Sequence, residues 1–246
     1  MQTTKQHSNA EYDFGINPIT NVKTILIGKE KHRLLIIDDF AADPKSLVDY
    51  ACNETDFIHV KPPENFYPGI VGQLPKQYSL NLYDALQPLI SKKFDQQMND
   101  QSRKYGAFSI TTLKPGQLHP LMCIPHVDTV DQNQLAILLY LCDDTHGGTS
   151  FFKHRQTGYE SLDKQRMAEY KESCLKHFAT NGQPSQNYIL DDTLLFKKIN
   201  SVNAKFNRLV IYHSHILHSG NININTGLPS SPGKGRLTAN SFISFF

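Results

Sequence analysis

The stretch Cys123-Ile124-Pro125-His126-Val127-Asp128 puts an imidazole and a carboxylate two residues apart. In an extended chain, residues i and i+2 project to the same side, so His126 and Asp128 can be offered to one cation. Two ligands alone hold a divalent ion weakly. A second histidine would complete the two-histidine, one-carboxylate set with open positions that suits non-haem Fe(II); the same donors also suit Zn(II). The richest supply is Tyr212-His213-Ser214-His215-Ile216-Leu217-His218-Ser219-Gly220, which follows the apolar run Arg208-Leu209-Val210-Ile211. His218 is the preferred third ligand, because Ser219-Gly220 lets the backbone approach closely. His213 and His215 share a strand face and compete with it. Further on, Arg236 opens the last strand, where a guanidinium can grip a carboxylate through two hydrogen bonds. Thr238 points the same way and can support the same carboxylate. His119, His146, His154 and His177 read as turn or surface residues, and Tyr140 as core.

These groups need strands to carry them. Thr24–Gly28, Leu34–Phe40, Tyr105–Leu113, Gln134–Leu141, Thr149–Phe152, Leu194–Ile199, Arg208–Tyr212 and Arg236–Phe246 all read as strands. Asp43-Pro44 is an N-cap followed by a proline at the first helical position, with Leu47, Val48, Tyr50 and Ala51 as the apolar face. Leu82, Leu86, Leu89, Ile90 and Phe94 recur at helical spacing, with Pro88 expected to kink or start that helix. Lys61–Gln77, rich in Pro, Gly and Tyr, reads as an ordered loop. Residues 156–192 form a helical insertion: Ser161 could cap it, Met167, Tyr170, Cys174, Leu175 and Phe178 line one face, and Asn181-Gly182 ends it. The insertion is expected at the substrate entrance. Helices first and short strands after, joined by Gly-rich turns, give a mainly β fold with N-terminal helices, an antiparallel barrel or jelly roll.

Length and composition fit one domain over residues 1–246, with residues 1–20 expected to fray. A net charge of +2 with mixed signs gives no electrostatic case for nucleic acid or an anionic membrane as partner. Four widely spaced cysteines form no C-x-x-C pair and read as reduced, mostly buried thiols. With no apolar leader and no membrane-length apolar run, the expected location is the cytoplasm.

Several pieces together resemble the 2-oxoglutarate- and Fe(II)-dependent oxygenases, in particular their prolyl 4-hydroxylase-like branch. Leu35-Ile36-Ile37-Asp38-Asp39-Phe40 resembles the opening strand and acidic-Phe step. Leu113-Lys114-Pro115-Gly116-Gln117 resembles the turn before the first ligand, and His126-Val127-Asp128 matches H-x-D. Leu138–Leu141 with Gly147-Gly148-Thr149-Ser150-Phe151-Phe152 resembles the Tyr-Leu and Gly-Gly-x-Thr-x-Phe stretch, and Gly235-Arg236 matches the Gly-Arg pair. The resemblance covers roughly residues 34 to 246. It implies a double-stranded β-helix (jelly-roll, cupin-like) barrel. It also implies Fe(II) on His126, Asp128 and His218, 2-oxoglutarate anchored by Arg236 with Thr238, and dioxygen as cosubstrate. The implied reaction hydroxylates a small-molecule or peptide C–H bond and releases succinate and CO2. Asp128 is the ligand that halogenating relatives lack, so hydroxylation is favoured. Two features depart from the pattern. The loop Asn221–Lys234 is long, and the tyrosine often found in the turn before H-x-D is absent, which leaves one cosubstrate contact unassigned. The alternatives are a metal- or ligand-binding barrel without turnover and a cupin-like zinc hydrolase.

Overall fold

A computed structural model describes residues 11–246. Eleven strands and three α-helices follow one another as β1 (Lys23–Ile27), β2 (His32–Ile37), α1 (Pro44–Asn53), β3 (Ile58–His59), β4 (Gly69–Gln73), α2 (Lys76–Phe94), β5 (Arg103–Thr111), β6 (Gln134–Tyr140), β7 (Gly147–His154), α3 (Arg166–Asn181), β8 (Phe196–Asn203), β9 (Arg208–His213), β10 (His218–Ile222) and β11 (Leu237–Ser244). All pairings are antiparallel. One sheet has the order β1-β2-β9-β6-β11-β5-β4-β3 and the other β10-β7-β8. An isolated bridge between His126 and His218 adds a short fourth member beside β10. From β5 onward the chain shuttles between the sheets: large for β5, β6, β9 and β11, small for the His126 bridge, β7, β8 and β10. That alternation is a double-stranded β-helix, and it brings segments distant in sequence to one barrel mouth.

Strand alternation divides the large sheet into two faces. Leu237, Ala239 and Ile243 of β11 join Leu135, Ile137 and Leu139 of β6 and Leu209 and Ile211 of β9 on the outer face, covered by α1 and α2. Helix α1 starts as expected: Asp43 accepts from the Lys45 amide and Pro44 sits in the first turn. Helix α2 continues without a break through Pro88, so it does not start there. Its buried Tyr78, Leu82, Leu86, Ile90 and Phe94 hold it, and exposed Pro88 leaves the freed carbonyl near water.

Several sequence expectations change. Of residues 1–20, the first ten lie outside the described residues, but 11–20 do not fray. Phe14, Ile16 and Ile19 pack on the helix-covered core, and the backbone of Asn17 and Gly15 bonds Phe40 and Ala42. The presumed loop 61–77 contains β4 and the start of α2, because β4 pairs with β5 from Gly69↔Thr111 to Gln73↔Ala107. Ser161 does not cap α3. Its hydroxyl donates to Glu30 at 2.6 Å, and Asp163 accepts from the Gln165 and Arg166 amides instead. Helix α3 ends at Asn181 before Gly182, and Leu175 turns outward at 70% exposure. Met167, Tyr170, Cys174 and Phe178 pack with Ile124, Val127 and Val130, so the helix braces the H-x-D segment from behind. All four cysteines are free, and three are buried. Among the described residues no helix is long and apolar enough to cross a membrane.

Candidate metal centre and anion pocket

His126 and His218 face each other through a closed pair of backbone hydrogen bonds, each amide donating to the other's carbonyl at 2.9 Å. Such an antiparallel pair directs both side chains to one side. The Asp128 amide donates to the Ser214 carbonyl at 2.9 Å, which returns the next alternate residue to the same side. One ligand atom from each of His126, Asp128 and His218 lies within 4.8 Å of the others. Asp128 Oδ1 is 3.9 Å from His126 Nε2 and 3.7 Å from His218 Nε2. Bonds of about 2.1 Å to one ion put neighbouring donors roughly 3 Å apart, so small rotamer shifts close the set. Nδ1 of His218 lies 2.9 Å from the Ile216 carbonyl. A carbonyl only accepts, so Nδ1 carries the proton and the Nε2 lone pair is free for a metal.

Burial lowers the His218 pKa to about 4, and partial desolvation with the neighbouring His218 presses half-exposed His126 down. The imidazoles are therefore neutral at pH 7, the state that ligates. Burial raises Asp128 to about 6, opposed by the nearby His126. His126 is half exposed and forms the open side of the site, whereas His218 is enclosed.

Arg236, at the start of β11, is 4% exposed. One guanidinium nitrogen, Nη2, donates to the Gly148 carbonyl at 2.8 Å, and the group stands 5.7 Å over the Tyr140 ring. Its Nε is buried with no partner. The titratable groups around it are Cys142, Tyr140, Tyr67 and Tyr212, all neutral at pH 7, and no carboxylate of the described residues is among them. A buried unpaired cation is costly, so the pocket fits an anion from outside the chain. Thr238 is fully buried on the same face, with its hydroxyl 3.5 Å from the Ser109 carbonyl. The Tyr212 phenol lies between the two halves of the site. Its ring is 5.0 Å from that of His218, and its pKa is raised by burial and by Asp128 while Arg236 opposes the rise.

A family profile described as "Family of unknown function (DUF6445)" matches residues 18–243. The chain belongs to the DUF6445 family. No curated protein matches it. Solved structures with some likeness to this DUF6445 chain include HygX from Streptomyces hygroscopicus with iron bound (12% identity, 86% of this chain and 81% of that one, TM-score 0.43). EctD from S. alaskensis with bound Fe is 15% identical over 98% and 86% of the two chains, with a TM-score of 0.41. An N-substituted L-amino acid dioxygenase from Burkholderia ambifaria AMMD is 11% identical over 87% and 82%, with a TM-score of 0.38.

In the DUF6445 chain a tyrosine that the sequence did not announce stands beside Arg236. Tyr67 lies just before β4, and the Gly69↔Thr111 pairing carries it to the pocket. Its hydroxyl is 3.0 Å from Thr111 Oγ1, and Arg236 and Thr238 both act on it against the effect of burial. Tyr188 of the insertion donates to the Leu113 carbonyl at 2.7 Å and also feels Arg236. Tyr140, read as core, is buried, but its hydroxyl meets Thr149 at 2.7 Å beneath the guanidinium. The long loop packs down on other segments, with Leu228 against Leu118, Met122 and Tyr188.

The other histidines lie apart from the ligand set. His213 packs on Phe94 and on His215, and His215 on His32. His154, expected at the surface, is fully buried against Tyr170 and Phe196. Its strand partner positions force it inward, with Nδ1 bonded to Thr157 at 2.8 Å. An open groove of about 740 Å³ lies elsewhere, along β1 and β8. Its Asp38 is paired with Arg208 and Lys205, and it brings together no ligand set like that of His126, Asp128 and His218.

Burial holds His154, His215 and His218 at about 4, well below the ordinary 6.5. Above pH 6.5 neither the folded nor the unfolded chain protonates them. Between pH 6.5 and 4 the unfolded chain takes up protons that the fold refuses, so stability falls as pH falls, by roughly 1–3 kcal/mol per histidine. Asp128 acts in the opposite sense below pH 6. The metal-free protein is expected to lose stability between pH 7 and 5 in urea titrations; a constant midpoint would contradict this.

Proposed function

We propose that the protein is an Fe(II)- and 2-oxoglutarate-dependent dioxygenase that hydroxylates an unactivated C–H bond of a small-molecule or peptide substrate, consuming dioxygen and releasing succinate and CO2. The observation that carries this reading is Arg236, a buried guanidinium with no carboxylate partner, linked through Tyr212 to a cluster of two neutral imidazoles and a carboxylate. His126, Asp128 and His218 would hold the iron; Arg236, Thr238 and Tyr67 would hold the far carboxylate of 2-oxoglutarate. When bound, iron and 2-oxoglutarate supply the oxidising chemistry.

The chain supplies binding, orientation and exclusion of water. The Ile216 carbonyl fixes the tautomer of His218. The rings of Phe151 and Tyr212 shield His218 from solvent. Half-exposed His126 leaves the remaining side open to substrate. Asp128 fills the position a halide would need, which favours hydroxylation over halogenation. The prolyl 4-hydroxylase-like motifs make peptidyl proline the first substrate to try, although fold does not fix substrate. A cytoplasmic location fits the absence of a membrane-length helix among the described residues.

The test is succinate release with Fe(II) over a panel of peptidyl proline, free amino acids and other small molecules. Succinate is expected from the unaltered protein and none from His126→Ala. Anaerobic Fe(II) with 2-oxoglutarate should also give a weak visible charge-transfer band. A zinc hydrolase would ignore 2-oxoglutarate, and a non-catalytic barrel would give neither signal with turnover.

A further inference from the structure

Beyond the metal ligands, the inner face of the large sheet continues to solvent, and its outer rows have no role in the reading above. The register of β5, β11 and β6 aligns Tyr105, Phe242 and Ala136 in one row and Arg103, Ser244 and Gln134 in the next. Tyr105 and Phe242 stack with centroids 4.9 Å apart and planes 18° from parallel. Tyr105 is nevertheless 53% exposed and the terminal Phe246 63%. The Arg103 guanidinium lies 5.3 Å over the Phe246 ring, and among the described residues no carboxylate pairs with it. Gln134 is 7% exposed; its Nε2 donates to Ser244 at 2.9 Å, while its Oε1 is buried without a partner.

This strip adjoins the metal ligands. The Ser214 amide donates to the Gln134 carbonyl, and the Ser214 carbonyl receives the Asp128 amide. The Asp128 charge reaches the Tyr105 phenol. Exposed stacked rings and an unpaired cation, in line with a reactive centre, are the marks of a ligand site. A single cation beside apolar rings suits a small molecule with one acid group.

We propose that this strip is the substrate platform and that it selects a small organic acid: its apolar or aromatic body lies on Tyr105, Phe242 and Phe246, and its carboxylate pairs with Arg103. The assignment of this acid as the substrate rests on the oxygenase reading, while the binding itself does not.

The test uses metal-free protein with excess 2-oxoglutarate to fill the Arg236 pocket. N-benzoylglycine and its neutral amide, N-benzoylglycinamide, are titrated by calorimetry and by saturation-transfer NMR. The acid is expected to bind roughly tenfold tighter than the amide, the scale of one charge-assisted contact. Arg103→Gln should erase that difference, and Tyr105→Ala should weaken both probes about tenfold. Both side chains are exposed, so the thermal midpoint should not move; Arg236→Gln should keep the acid–amide difference. No binding of the acid, equal binding of acid and amide, or a difference that survives Arg103→Gln overturns the proposal, as does a difference that only Arg236→Gln abolishes. A protein that passes these titrations but releases no succinate with iron loses the reaction and keeps the platform.

Discussion

Asp128→Ala protein is expected to bind Mn(II), a spectroscopic stand-in for Fe(II), more than about a hundredfold more weakly than the unaltered chain. Changes to groups that merely orient a ligand cost roughly 10–100-fold in metal affinity, and removing a ligand costs more. Asp128 is also the only anionic member of the set, so its loss leaves two neutral imidazoles facing a dication. The fold should survive. The Asp128 amide, not its side chain, ties the segment to Ser214, and Val127 and Val130 keep their packing against α3. Burial raises the carboxylate to about 6 in the metal-free protein, so its removal takes away a strained charge. Manganese titrations followed by electron paramagnetic resonance, with urea midpoints as control, decide the matter. Unchanged affinity in Asp128→Ala, with the fold intact, would remove the metal centre from consideration.

The parts of this site that were legible in the sequence are those set by local spacing. His126 and Asp128 needed only an extended backbone. His218 needed only a strand ending in small residues. Arg236 and Thr238 needed only the i, i+2 rule at the head of β11. What the sequence could not disclose depends on tertiary pairing. Tyr67 sits in a Pro- and Gly-rich stretch with no strand signature, and only the pairing of β4 with β5 delivers its phenol to Arg236. The bridge that places His126 opposite His218 is one residue pair long, too short to leave a periodic pattern. His154 looked like a surface residue because it stands in the polar run Lys153-His154-Arg155-Gln156. Here α3 and β8 close over it. Residues 11–20 read as frayed because a polar leader hid the apolar set Phe14, Ile16 and Ile19, whose partners lie on α1 and on the segment after β2.

Arg236→Met separates stability from ligand binding. In the free protein the substitution removes a charge buried without a carboxylate, a burden of several kcal/mol. Against that it forfeits the hydrogen bond to the Gly148 carbonyl and the contact with the Tyr140 ring, together worth about 2–4 kcal/mol. The opposing contributions are of similar size, so the unliganded variant should melt at or above the midpoint of the unaltered protein. Ligand response should move the other way. At 100 times Kd a ligand stabilises the fold by about 2.7 kcal/mol, or roughly 5–10 °C for a chain of this size. With Mn(II) and 2-oxoglutarate the unaltered protein is expected to show a shift of that order, and Arg236→Met almost none beyond the effect of metal alone. Scanning fluorimetry with and without each ligand measures both quantities. A variant that melts far below the unaltered protein would mean that the guanidinium has a structural partner. An undiminished 2-oxoglutarate shift would mean that the carboxylate is held elsewhere. A midpoint preserved without ligand, together with a lost response to it, is what a cation kept unpaired for an incoming anion should produce.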